Sequence, residues 1–480
     1  MKVKFLIILI LFAVAACGRN RRIGLSDKAL FDQPSDIAQQ QSEPELDFSN
    51  METYIVPQGI KYKESRAADP ANPPVVIDLA NRNLSIKKFD LNDYYSNVRY
   101  IKIKHPKSSA EGRFLLQAAN YGVSYDENSR GFNFSSAPSM FEFTDDYIVA
   151  GDAFWGIHCY DKQGPFLYTI EANDFSKNYN VSRNTISFSE RDFKGYYGGL
   201  FTTIGNSCLY NIREDNINKL CLYDLARKKR IMTKPFNESV YLLEGQSMAR
   251  YVYHPAREME DFLFTFDLKG DTLCRFPSYH PVPEIRERSL SPPSASIYYH
   301  NNQLTVRQSL NDTVYRVISP NRLVPAYVLN FGKYKVDIKT ALTDEQSEKL
   351  YPSTWRETDR YILFVYTQNR YTPNNIRDGK VKYFYSYYDK NSWQLHHFSE
   401  GSATLEGMFL IANSIPGALP FILSHADMAG NQLRACYNKR RLEDIINNAA
   451  FTSLPQGQQN KLKTMQNELE DDEILIMILE

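Results

Sequence analysis

MFEFTDDYIVAGDAFWGIHCYDKQGPFLYTI, residues 140–170, holds four short apolar or alternating segments separated by three tight turns. Strands are expected at 140–143, 147–150, 156–160 and 166–170. The breaks fall on Thr144-Asp145-Asp146, on Gly151-Asp152 and on Asp161-Lys162-Gln163-Gly164. These residue types hydrogen-bond their own backbone or accept a left-handed φ, so they end strands for a physical reason. Alternation with period two gives each segment one side for a core. Four such strands in about 30 residues are the content of one β-propeller blade.

Working outward, weaker copies follow. Segments at 200–204, 208–212, 219–224 and 229–233 make a second blade. Those at 240–243, 249–254, 262–267 and 272–277 make a third, and 296–300, 303–308, 313–318 and 326–331 a fourth. A fifth takes 361–367, 381–388 and 394–398, with Asp389-Lys390-Asn391 at its turn, and a sixth takes 408–412, 421–424 and 432–437. Upstream, Val98-Arg99-Tyr100-Ile101-Lys102-Ile103 alternates cleanly. The fold class is therefore all-β, a six-bladed β-propeller with four-stranded antiparallel blades over residues 75–480. Two departures are helical. Thr343-Asp344-Glu345-Gln346 is a capping-box pattern opening a short helix that ends near Leu350. Leu442, Ile445, Ile446 and Ala449 share one helical face, which Leu462, Met465 and Leu469 continue. The unbroken apolar run 474–479 suits a strand buried on both sides; it, or the strand at Val75, is expected to pair across the ring seam and remove exposed edges.

The N-terminus carries an address. Lys2 and Lys4 precede an apolar stretch at 5–14 that is too short to span a bilayer as a mature helix. Val14-Ala15-Ala16-Cys17 then resembles the lipobox of bacterial lipoproteins, in which the thiol is acylated and the signal is cut just before it. The expectation is a signal peptide at 1–16 and lipidation of Cys17, with multiple acyl chains anchoring stably. Residues 17–74, with Gln39-Gln40-Gln41, scattered acids and Pro70, Pro73 and Pro74, bury too little apolar surface to offset ordering entropy and read as a flexible tether. The localisation expected is the outer membrane. The basic Arg19, Arg21 and Arg22 favour a body facing the periplasm over the cell surface.

Charge is balanced, 56 Lys and Arg against 56 Asp and Glu, which argues against a nucleic-acid partner. Beyond Cys17 five cysteines remain. Cys208 and Cys221 could bridge one hairpin, but the simpler reading is buried thiols acting as small hydrophobes, and no C-x2-C spacing supports a zinc site. The eight histidines are dispersed. His396 and His397 are adjacent and so point to opposite strand faces. No nucleophile-elbow, zincin or P-loop pattern occurs, and no metal or cofactor is implied. Tyr383, Tyr385 and Tyr387 share one strand face, with Phe384 and Tyr388 on the other, a stripe suited to packing between blades. For ligand contact, Trp155, Trp355, Arg370 and Tyr371 are singled out, because each is placed in or beside a turn or long loop, where propellers carry function.

The chain resembles the six-bladed β-propeller lipoproteins abundant in Bacteroides-type bacteria. The resemblance rests on Phe141-Glu142-Phe143-Thr144-Asp145-Asp146-Tyr147-Ile148-Val149 and the Tyr160-Asp161-Lys162-Gln163-Gly164 turn. It extends to Leu310-Asn311-Asp312-Thr313-Val314-Tyr315-Arg316-Val317, Leu329-Asn330-Phe331-Gly332-Lys333-Tyr334 and Asp472-Glu473-Ile474-Leu475-Ile476-Met477. It implies the fold and the export route. Asn413-Ser414-Ile415-Pro416-Gly417-Ala418-Leu419-Pro420 departs from the pattern, because it lacks the acid that members often carry before the last strands. The function expected is a non-catalytic binding or scaffold module for a glycan, peptide or envelope protein. The alternative is a hydrolase or lyase acting at the central funnel.

Overall fold

In a computed structural model of the 480-residue chain, the residues described are 53–480 less 57–59, 82–83, 85, 88, 107–122, 127–130, 135–140, 153–155, 173, 176–178, 183–184, 189–192, 215–216, 236–239, 252–260, 279–295, 309–310, 337–347, 369–381, 399–403, 406–407, 412, 423–425, 430–431, 448–450 and 453. Six mainly antiparallel sheets form the six blades of a β-propeller. Blade 1 is Phe141–Phe143, Tyr147–Asp152, Gly156–Asp161 and Phe166–Ala172. Blade 2 is Phe193–Ile204, Ser207–Glu214, Ile217–Asp224 and Lys229–Pro235. Blade 3 is Val240–Leu242, Met248–Tyr251, Asp261–Phe266 and Thr272–Pro277. Blade 4 is Ser296–His300, Gln303–Arg307, Thr313–Ser319 and Arg322–Asn330. Blade 5 is Leu350–Glu357, Tyr361–Gln368, Lys382–Asp389 and Gln394–Phe398. Blade 6 is Ala426–Ala429, Gln432–Tyr437, Glu473–Leu479 and Val98–Lys104.

The turns repeat chemically as well as spatially. Between the third and fourth strands, an aspartate carboxylate accepts backbone N–H groups just ahead of it in four blades. Asp161 accepts from Gln163 at 2.8 Å, Asp224 from Arg227 at 2.8 Å, Asp267 from Lys269 at 2.9 Å and Asp389 from Asn391 at 2.8 Å. Between the first and second strands, Thr144 and Thr358 do the same, each accepting from the residue three positions on (Tyr147 at 3.0 Å, Tyr361 at 3.1 Å). These side chains stand in for the next ladder bond and reverse the chain.

The core is divided into wedges. Six buried apolar clusters occur among the described residues, and each lies between two adjacent blades. A propeller strand therefore has two buried sides, and its alternate residues belong to different interfaces. Glu473–Leu479 shows this most plainly: Ile474, Ile476 and Ile478 pack toward blade 1, whereas Leu475, Met477 and Leu479 pack toward blade 5. The Tyr stripe of blade 5 divides likewise, with Tyr385 and Tyr387 packing toward blade 6 and Phe384 and Tyr388 toward blade 4. Cys208 lies opposite Tyr223 in the ladder and Cys221 opposite Tyr210, so the two thiols are out of register; both are free and buried.

The ring closes through the chain ends. Glu473–Leu479 pairs antiparallel with Gln432–Tyr437 on one side and Val98–Lys104 on the other. Val75–Asp78, the other strand proposed for the seam, instead adds in parallel to the outer edge of blade 4, and Ile86–Lys87 adds likewise to blade 5. Residues 408–411 and 421–422, expected in blade 6, pair with each other instead, and 404–405 joins them. Their place is taken by Val98–Lys104 and by Glu473–Leu479, the latter separated from Gln432–Tyr437 by the two helices Lys439–Ile446 and Gln456–Glu468. Arg441, Leu442, Ile445 and Leu462 form the buried sides of those helices.

Two further expectations concern segments outside the blades. The tether expected from composition runs to residue 74, yet Ile60–Tyr62 lies against the outer strand of blade 3, and Lys61 pairs with Asp267 at 2.8 Å. Ser65 joins the edge of blade 4, donating to Asn321 O at 2.8 Å while its own carbonyl accepts from Leu323 at 2.9 Å. Proline-rich composition hid these contacts, because they use backbone groups and single charged side chains rather than an apolar pattern. The capping-box helix lies outside the described residues, and Leu350, its expected end, begins a strand.

Two substitutions test the seam. Ile476→Ala should destabilise the fold by about 2–5 kcal/mol, because its site is closed by packed strands on both sides. Gly164 has φ +116° and an added Cβ would sit 2.5 Å from the Lys102 carbonyl oxygen across the blade 6–blade 1 interface, so Gly164→Ala should cost more than about 1 kcal/mol. Urea denaturation reads both; unchanged midpoints would contradict this closure.

Candidate functional site

Among the residues singled out from sequence, only Trp355 falls within the described part. Cys17, Trp155, Arg370 and Tyr371 lie outside it. Trp355 is not on a loop. It belongs to the first strand of blade 5, is 3% exposed, stacks on Phe364 and packs against Tyr327 of blade 4. Pro352 and the small residues around it disguised this strand; the register shifts between Pro352 and Thr354, a bulge that accommodates the missing N–H.

Directly along that strand, one turn-end away, is the polar cluster that sequence reasoning missed. Glu357 ends the strand and is 1% exposed, with its side chain turned toward blade 4. Its Oε1 accepts from Arg316 Nη2 at 2.5 Å, Lys390 Nζ at 2.8 Å and the Tyr327 hydroxyl; its Oε2 accepts from the Tyr298 hydroxyl at 2.6 Å. Tyr298, Thr305 and Arg316 are successive partners across three strands of blade 4 and so share one face. Arg316 also donates to Thr305 Oγ1 and lies over the Tyr327 ring. Lys390 arrives from the turn after the third strand of blade 5, and its Nζ also donates to Thr358 O.

His300, at the end of the first strand of blade 4, closes the cluster. Its Nε2 is 3.3 Å from Asp359 and 3.6 Å from Glu357. Asn301 Nδ2 donates to Asp359 Oδ1 at 2.9 Å, linking the first turns of blades 4 and 5. The first strands of these blades touch, so the His300 end of the cluster lies nearest the propeller axis, and Arg316, Tyr327 and Lys390 extend it outward along the third and fourth strands.

The electrostatics follow from this enclosure. Burial alone would raise the Glu357 carboxyl, but Arg316, Lys390 and His300 override it and hold the group at about 2. Burial lowers His300 to about 4 despite the pull of Glu357, so the imidazole is neutral at physiological pH and its contacts with the acids are not ion pairs there. Burial also lowers Lys390, against the opposing attraction of Glu357. With four donors on its two oxygens, Glu357 is spent as an internal acceptor. Carboxylate, arginine and tyrosine recur between blades 1 and 2, where Arg230 and the Tyr210 hydroxyl (3.2 Å) both donate to Glu171. Among the described residues no three His, Cys, Asp or Glu side chains gather as metal ligands, and no helix is long and apolar enough to cross a membrane.

Glu357→Gln removes the charge that compensates Arg316 and Lys390, and should cost about 3–5 kcal/mol in urea denaturation. The wild type should lose stability on acidification in two windows. His300 binds its proton more readily unfolded, so its share falls from the ordinary 6.5 down to about 4. The depressed Glu357 carboxyl contributes above its ordinary 4.5, and that share is lost as pH falls toward about 2. His300→Asn should flatten the upper window; a stability profile equally steep there would contradict the assignment.

Comparisons with known proteins bear on family and on architecture. A family model described as a domain of unknown function, DUF4933, matches residues 57–448. No curated protein sequence matches the chain. A Bacteroides fragilis protein assigned as exported is similar in structure at 13% identity and a TM-score of 0.47, covering 85% of this chain and 99% of that one. The β-propeller domain of Myceliophteria thermophila Cps50 (Swd1) is similar at 12% identity and a TM-score of 0.29, over 72% of this chain and 97% of that one. BamB of Moraxella catarrhalis is similar at 10% identity and a TM-score of 0.25, over 49% and 59%. At such identities and scores these likenesses bring no function with them. The chain belongs to the DUF4933 family, and within it folds as a six-bladed β-propeller.

Proposed function

We propose that this protein is a lipid-anchored module of the bacterial cell envelope that binds or scaffolds a glycan, peptide or envelope protein through a propeller face rather than acting as a catalyst. The observation that carries the reading is the state of Glu357. A general acid or base needs a lone pair or proton directed at substrate and a pKa near the working pH. Glu357 has its oxygens occupied by four protein donors and is held far below neutrality. This cluster of ionisable side chains thus serves to join blades 4 and 5. The N-terminal Val14-Ala15-Ala16-Cys17 supports the anchor, and the basic residues after it support a body facing the periplasm.

The alternative, a hydrolase or lyase at the central funnel, draws on one feature: His300 is neutral at physiological pH and lies 3.3 Å from Asp359 near the mouth. The two readings separate in one experiment. The detergent-solubilised full-length chain should enrich an envelope component in a pull-down, and should not turn over a panel of glycosidic and peptide substrates. Turnover abolished by His300→Asn would reverse the assignment. For the anchor, metabolic labelling with an alkyne fatty acid should mark the wild type and not Cys17→Ala; equal labelling would refute lipidation at Cys17.

A further inference from the structure

Six large apolar side chains stand exposed among the described residues, and four of them share one kind of place. Phe166 and Leu167 (42% each) begin the fourth strand of blade 1, directly after the turn that Asp161 N closes on Pro165 O. Ile318 (42%) is next to the last residue of the third strand of blade 4. Trp393 (64%) follows the third strand of blade 5 and precedes its fourth. All four therefore lie where a third strand turns into a fourth. Ile217, at the start of the third strand of blade 2, and Val76, on the strand added outside blade 4, lie elsewhere. Blades repeat in one orientation around the axis, so equivalent turns share one rim of the ring. Exposed apolar groups gathered on one side of a molecule mark a contact.

Positive charge is gathered on the same rim. In blade 2 this turn carries Arg227, Lys228 and Lys229, three consecutive exposed cations. It abuts the apolar pair of blade 1: the Tyr168 hydroxyl donates to Leu225 O at 2.7 Å, and Lys228 Nζ lies 5.1 Å from the centre of the Tyr168 ring. The acids of these turns are engaged within the protein. Asp161, Asp224, Asp267 and Asp389 accept backbone N–H groups, and Asp271 is 3.4 Å from Lys61. Asp145 and Asp146 are exposed in the first turn of blade 1, with Lys162 Nζ 3.9 Å from Asp146, so the cationic excess is local to blade 2.

The course of the chain indicates the occupant. Its N-terminal side enters the body on this rim. Lys61 pairs with Asp267 in the turn of blade 3 at 2.8 Å, and Ser65 N donates to Asn321 O in the turn of blade 4 at 2.8 Å. Cys17, the expected acylation site, lies upstream of that entry. An anchored chain presents its entry rim to the bilayer more readily than the opposite end, from which the tether would have to pass back around the body. Aromatic and aliphatic tips that enter the headgroup layer, with lysine and arginine against anionic lipids, are the make-up of an interfacial surface.

We infer that the rim formed by the turns between third and fourth strands rests on the bilayer that holds the anchor. Phe166, Leu167, Ile318 and Trp393 enter its headgroup layer, and Arg227, Lys228 and Lys229 meet anionic lipid. This rests on the lipid-anchored reading and adds an orientation to it: the turns between second and third strands, at the other end of every blade, face the aqueous phase.

The test is tryptophan fluorescence of the acylated full-length chain in phosphatidylglycerol–phosphatidylcholine vesicles brominated on the acyl chains. The wild type should lose emission that Trp393→Phe, which keeps Trp155 and Trp355, does not lose. With the probe moved to the other end, Ile217→Trp in the Trp393→Phe background should show no such loss. Arg227→Gln, Lys228→Gln and Lys229→Gln combined should lessen the loss at a given phosphatidylglycerol fraction. These changes are to exposed side chains, and the variants should melt with the wild type. Equal quenching of the wild type and Trp393→Phe, or quenching of the Ile217→Trp probe, overturns the proposal. A chain that floats with the vesicles and shows no Trp393-dependent loss overturns the rim contact and leaves the anchor standing. A chain that does not float overturns both.

Discussion

Everything in this molecule depends on one strand having two buried sides. Glu473–Leu479 lies between Gln432–Tyr437 and Val98–Lys104, so residues nearly four hundred positions apart in sequence become adjacent in one ladder. Its isoleucines complete the interface with blade 1, and its leucines and methionine the interface with blade 5. Without this strand, two of the six wedges of core would open and the ring would present free edges, which pair readily with other chains. The same rule holds elsewhere in weaker form: alternate residues of one strand serve different neighbours, so no blade has a core of its own.

That rule explains how polar chemistry is used. A carboxylate placed between two blades cannot reach bulk water, and it persists only if donors on both sides satisfy it. Glu357 finds Arg316, Tyr298 and Tyr327 on blade 4 and Lys390 on its own blade, and Glu171 finds Arg230 and Tyr210. These seams favour one pairing of blades over others, since any other neighbour would leave buried charge uncompensated.

Much of the architecture was legible in the sequence because propeller strands announce themselves twice, through alternation and through turn residues with side chains that replace backbone partners. Asp161 and Asp389 sit where turns were expected, and the run 474–479 was recognisably a strand covered on both sides. What escaped had physical reasons. The first strand of blade 5 carries Pro352 at a bulge and so broke the pattern, and this in turn placed Trp355 on a loop that does not exist. Thr144-Asp145-Asp146-Tyr147-Ile148 and Thr358-Asp359-Arg360-Tyr361-Ile362 share one pattern, which aligns blades 1 and 5 and puts residue 357 at a strand end. The Glu357 partners come from four separate segments, and no local pattern joins them.

Native-state amide hydrogen exchange of the full-length chain tests the closed ring most directly. If Glu473–Leu479 is the strand on which closure depends, its amides should exchange only through global unfolding. They should then share one free energy with Val98–Lys104, Gln432–Tyr437 and the second strand of blade 1, Tyr147–Asp152. Exchange of 473–479 and 98–104 through a local opening, at a free energy well below that of blades 2 to 4, would show a ring that holds without its seam and would contradict the account.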